Sequence, residues 1–148
     1  MNFISIFTIV AGFILGLGAV TVIDLHGFLA RKSSYWTEAT IRTHKVTKPL
    51  IWIGISLVLL GNILMVQNNI IFSEFLVLKF ILIILLILNG LFLSFVVSPR
   101  LLFQERKGRE KELLPQNLQN RIAMSFVVSF VGWWSLVVIF VSDILNLV

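Results

Sequence analysis

The side chains able to do chemistry are few, and they stand at two levels of an otherwise apolar chain. Lys79, Asn62 and Asp143 fall near one end of the long apolar runs. Asp24, His26, His44 and Lys48 fall near the other, and Asn89 lies between them. An ionisable group inside an apolar segment is costly unless it finds a partner, so each is a functional candidate by default. On a helical wheel Asp143 stacks over Ser125, Ser129 and Gly132, a face of small residues turned toward other helices. The spacing predicts an ion pair between Lys79 and Asp143 with Asn62 nearby. Such a pair is either a structural pin, with the lysine snorkelling to the interface, or the mouth of a solute path.

At the other level the chemistry is that of histidine. A near-neutral imidazole moves protons or ligates a metal or haem. Two histidines, one carboxylate and no cysteine are a thin ligand set. Asp24 and His26 also point about 160° apart on an ideal helix. These residues are therefore read as interfacial groups meeting lipid headgroups or loop partners, and no cofactor is expected. Haem or metal binding through His26 and His44 is the alternative. His44 and Lys48 share a face at i, i+4 spacing if the helix runs on through Pro49, and that face extends to Asn62. Asn89, near mid-membrane, must find an interhelical hydrogen bond, and Gly90 beside it makes room.

The elements that position these groups are four apolar runs, at about residues 3–23, 49–66, 75–97 and 122–141. The third, FLVLKFILIILLILNGLFLSFVV, reaches about 34 Å as a helix, enough to cross a hydrocarbon core of roughly 30 Å. The chain is 58% hydrophobic and 13% charged, against about 25% charged in soluble domains. The fold expected is all-α, a four-transmembrane-helix up-down bundle forming one integral membrane domain over residues 1–148. The first run carries Gly12, Gly16 and Ala19, which favour close packing within the molecule over a dimer face. Gly54 and Gly61 do the same in the second. Trp133 and Trp134 sit mid-run, so they form no interfacial belt; one is expected to pack on Gly54, Gly61 or Gly90, and the other to face lipid or a second subunit.

Between the runs, Ser34 is a candidate N-cap for a helix near Tyr35, with Glu38 and Arg42 as an i, i+4 pair. Pro49 either bends that helix or opens a new one. Gln67-Asn68-Asn69 reads as a tight polar turn. Ser98-Pro99-Arg100 is expected to end the third span, because proline cannot continue the hydrogen-bond ladder. Residues 100–121 read as a membrane-surface segment.

Charge sets the expected topology. The segment 24–48 carries Arg31, Lys32, Arg42, Lys45 and Lys48, and the segment 98–121 carries Arg100, Arg106, Lys107, Arg109, Lys111 and Arg121. The turn between the second and third runs has no basic residue. Basic loops stay cytoplasmic, which puts both termini outside a plasma membrane. The net charge of +5 is accounted for by anionic headgroups, and nucleic acid is not an expected partner. The amino terminus lacks a basic n-region and reads as a retained helix. No nucleotide loop, zinc-protease helix or nucleophile elbow occurs, and Gly16-Leu17-Gly18 is too short for a dinucleotide fingerprint.

The stretches WIGISLVLLGN and LKFILIILLILNGLFLSFVVSPRL, followed by a last helix with GWWS, resemble small bacterial four-helix membrane proteins of the copper-resistance protein D type. The shared pattern is a lysine early in the third helix and a proline–basic pair just after it. That resemblance implies a four-helix bundle linked to metal or small-solute handling in the inner membrane. An uncharacterised family of small membrane proteins fits the same features. The expected role is a non-enzymatic accessory or structural subunit, as a homo-oligomer or in a larger membrane complex. The alternative is a small transporter or channel-like oligomer with Lys79, Asn62 and Asp143 at its mouth.

Overall fold

A computed structural model describes residues 3–67, 75–109 and 111–145. The predicted turn at Gln67-Asn68-Asn69 lies, beyond Gln67, outside the described residues. The helices are α1 (Phe3–Leu29), α2 (Ser34–Gln67), α3 (Leu76–Phe92), a π-helical turn (Leu93–Val97), α4 (Ser98–Arg106) and α5 (Gln116–Leu145). With α3, the π turn and α4 forming one rod, four helical rods are long and apolar enough to cross a membrane. Neighbours in the ring run α1–α2–α3–α5 and back to α1, with α1 and α2 in the most extensive contact.

Small residues explain that contact. A Cβ on Gly12 would lie 2.8 Å from the Gly54 carbonyl oxygen and from Val58, and one on Gly54 would strike the Gly16 backbone. Gly61 in turn accepts Ile9. The glycine stripe thus serves packing within the chain, with backbone against backbone. Trp133 is fully enclosed and lies over Gly16, not over Gly54, Gly61 or Gly90 as expected. Gly54 and Gly61 are already occupied by α1, and Gly90 is covered by Trp52. Trp134 is exposed on the outer face.

The apolar spans are shorter than the helices that carry them. α2 is 34 residues, about 51 Å, and passes through Pro49 without a break. It starts at Ser34, and the Thr37 amide donates to the Ser33 carbonyl, so the first turn closes one residue earlier than expected. Glu38 and Arg42 form their i, i+4 pair at 2.5 Å. The third rod does not end at Pro99 either; it continues to Arg106. The turn before the proline widens instead, with the Ser98 amide donating to the Leu93 carbonyl, five residues back. A wider turn moves the carbonyl that the proline ring would strike and tolerates the missing N–H. The rod ends beyond Arg106 at Gly108, whose φ of 66° is left-handed. The Arg109 amide donates to Gln104 and the Gly108 amide to Glu105, the two bonds of a Schellman motif.

At the basic end the helices build a second core. Ile41, Val97, Leu101, Leu114 and Leu118 bury one another. The Lys45 ammonium meets Glu105 at 2.7 Å across α2 and α4. Residues 100–121, expected to lie along the membrane surface, contribute Leu101, Leu114 and Leu118 to this core. Arg100, Arg106, Lys107, Arg109, Lys111, Glu112 and Arg121 are exposed, and Lys107 covers the exposed Phe103 ring at 4.3 Å.

Candidate functional site

Lys79 stands one turn into α3, and Asp143 stands in the last turn of α5. Both side chains are about 95% buried, and the Lys79 ammonium donates to Asp143 Oδ2. Asn62 is also buried, but its amide turns back along its own helix to the Val58 carbonyl at 2.8 Å. Asn89 fastens α3 to α5. Its amide nitrogen donates to Ser129 Oγ at 2.8 Å and to the Ser125 carbonyl at 3.2 Å, and the Ser125 hydroxyl donates back to Asn89 Oδ1 at 2.8 Å. Ser125, Ser129, Gly132 and Asp143 are all buried, so the small-residue face of α5 points into the bundle.

Between the ion pair and the basic end, the bundle axis is filled by Ile55, Val58, Ile83, Leu86, Trp133 and Leu136, each at most 4% exposed. Below that layer a cavity of about 60 Å³ opens among α1, α2, the π turn, α4 and α5. Asp24, Thr40, His44, Lys48, Trp52 and Ser94 line it, with Ile23, Leu93, Val97 and Ile122 as part of its apolar wall. Thr40, His44 and Lys48 are four residues apart in succession, one stripe of α2. The Trp52 indole N–H donates to Ser94 Oγ at 3.3 Å across the cavity's membrane-side end.

Among the described residues, Asp24 Oδ2 and His44 Nε2 are buried and have no hydrogen-bond partner, and both belong to this cavity. Neither Asp24 nor Lys48 takes part in an ion pair among the described residues. The α1–α2 register places them. Gly12 meets Val58, Gly16 meets Gly54, and the His26 ring is 3.2 Å from Thr43 Oγ1, so Asp24 is level with the stretch of α2 between His44 and Lys48.

His26 is not part of the cavity. It lies between Thr43 and the Trp36 ring, whose centroid is 5.2 Å from its own. The two histidines therefore do not face one void, as haem ligation by the pair would require. Among the described residues no group of three or more His, Cys, Asp or Glu comes together to hold a metal ion. Thr40, Trp52 and Ser94 were not singled out from sequence. The signal for them was the spacing Thr40-His44-Lys48-Trp52 on α2 and Gly90-Ser94 on the facing rod.

Compared with known family models, curated proteins and solved structures, the chain matches none. The class is therefore defined by the structure itself: an all-α bundle of four membrane-length helices, the arrangement of a small multi-pass membrane protein.

Proposed function

We propose that this chain is a non-enzymatic, non-conducting accessory subunit of a plasma membrane. It acts as a homo-oligomer or within a larger membrane complex, with basic segments in the cytoplasm and both termini outside. The observation that carries the reading is the apolar layer of Ile55, Val58, Ile83, Leu86, Trp133 and Leu136, which separates the Lys79–Asp143 pair from the Asp24 cavity. A transporter or channel needs a polar route between the two levels, and this layer offers none among the described residues. The copper-resistance D resemblance enters as a proposal about architecture alone, since metal handling needs clustered ligands.

Two measurements test the proposal. Proteoliposomes holding a pH or potassium gradient should leak at the rate of empty vesicles; a protein-dependent flux refutes the non-conducting reading and favours transport. A reporter active only outside the cytoplasm, fused after Val148, should be active, and activity of a cytoplasm-only reporter at the same site reverses the topology.

A further inference from the structure

We infer that the Asp24–His44–Lys48 cavity is a binding site for a small zwitterion, a molecule carrying a primary ammonium and an anionic group a few bonds apart. Asp24 is 9% exposed and offers a carboxyl oxygen without a hydrogen-bond partner, and His44 Nε2, on the same cavity, also lacks one. A buried carboxyl oxygen without a hydrogen-bond partner costs about 1–3 kcal/mol, so an occupant that satisfies it is favoured. Lys48 supplies the opposite charge from the same cavity wall, one helical turn from His44.

The sign pattern selects the ligand class. A simple cation would be held by Asp24 but repelled by Lys48, and a simple anion would suffer the reverse. A ligand bearing both charges matches both, its ammonium donating to Asp24 Oδ2 and His44 Nε2 and its anionic end meeting Lys48. At roughly 30 Å³ per water the cavity's 60 Å³ holds about two waters, which restricts the ligand to the smallest zwitterions. Ile23, Leu93 and Val97 would face its aliphatic part. The same charge pair occurs in a phosphatidylethanolamine headgroup, and Asp24 lies about 12 Å from the Gly16 level, toward the basic face of the bilayer. Trp52 and Ser94 bridge α2 and the third rod at the cavity's edge. This inference goes beyond the proposed accessory role and does not depend on it, because binding and flux are read in separate preparations.

The test uses the full chain in phosphatidylcholine nanodiscs, titrated with glycine, alanine and β-alanine, with ethylamine and acetate as single-charge controls. Calorimetry and tryptophan fluorescence read binding, Trp52 being at the site. At least one amino acid is expected to saturate at about millimolar concentration or below, with each control at least about tenfold weaker. Asp24→Asn and Lys48→Met are each expected to weaken binding about tenfold or more, while Lys45→Met, away from the cavity, leaves it unchanged. No saturable binding of any amino acid up to about 100 mM overturns the inference, as does equal binding of ethylamine or acetate. These wild-type comparisons stand even if a variant fails to fold. Nanodiscs containing phosphatidylethanolamine identify the source. Loss of amino-acid binding there marks the lipid headgroup as occupant, and unchanged binding marks a free solute.

Discussion

Removing one member of the Lys79–Asp143 pair should be far more damaging than removing both. The two side chains are 5% and 4% exposed, so water screens neither. Deleting one partner of such a buried pair costs about 3–5 kcal/mol, because the other charge is left stranded. Replacing both with apolar groups of similar volume is about neutral, or stabilising by up to about 4 kcal/mol. The expected coupling in a Lys79→Met, Asp143→Leu double-mutant cycle is therefore at least about 3 kcal/mol, more than a hundredfold in the unfolding equilibrium. Lys79 is one turn from the start of α3, and its long stem can carry a freed ammonium toward water, so Asp143→Leu should fall at the lower end of the range for a single loss. Reversible unfolding in bicelles, followed by tryptophan fluorescence, measures all three variants. Single losses below about 1 kcal/mol that add in the double variant would refute the reasoning and make the pair a surface contact in energetic terms.

Other outcomes are set by the same packing. Gly16→Val should cost about 3 kcal/mol or more in the same unfolding assay, since it drives a side chain into Trp133, while Gly18→Ala, with nothing within 4 Å, should be neutral or stabilise by up to about 1 kcal/mol. Asn89→Leu should cost about 1 kcal/mol through its lost bonds to Ser125 and Ser129, and a cost above about 3 kcal/mol would show that the clasp carries more than ordinary interhelical hydrogen bonds. Gly108→Ala should destabilise by about 1–2 kcal/mol through strain at its left-handed φ, in space that is otherwise open. In the exposed loop, the hydrogen bond from Arg109 holds the Glu112 carboxyl below the usual glutamate range. Its small stabilisation is present above the ordinary glutamate pKa and fades as pH falls through the lowered one. Carbon NMR titration should show Glu112 returning to the ordinary range in Arg109→Gln.

What sequence could show depended on whether one helix or two were needed to see it. The four spans follow from hydropathy along single segments. The inward face of α5 follows from the stacking of Ser125, Ser129, Gly132 and Asp143 on one wheel, and Lys79 was the one cation at the matching depth. Asn89 needed a partner, and the hydroxyls of that same α5 face supplied it. The pairing of Trp133 with Gly16 was not legible, because five glycines offered equal room and only the ring order of helices decides among them. The cavity was hidden for the same reason: sequence puts Asp24, His44 and Lys48 at one level, but only the packing of α1 on α2 turns them onto one void. Pro99 misled because its usual effect is to stop a helix, and the relief came from a widened backbone turn that leaves no mark in side-chain pattern. The length of the helices beyond their apolar spans was masked by charged residues, which are equally at home on a solvated helix and in a loop.

That widened turn has a consequence for rotational phase. A π turn inserts one residue into a helix, advancing everything after it by about 100°. Upstream, α3 turns Lys79, Ile83 and Leu86 inward at regular spacing; downstream, Val97 and Leu101 face Ile41 and Leu118. The turn thus works as a clutch between two sets of gears, one phased to the membrane bundle and one to the core beyond it. Deleting a single residue from 93–97 would take out the extra residue and leave Lys79 and Leu101 in their present phases on an unbroken α-helix. Inserting one more there would instead swing Leu101 out of its cluster while leaving Lys79 engaged with Asp143.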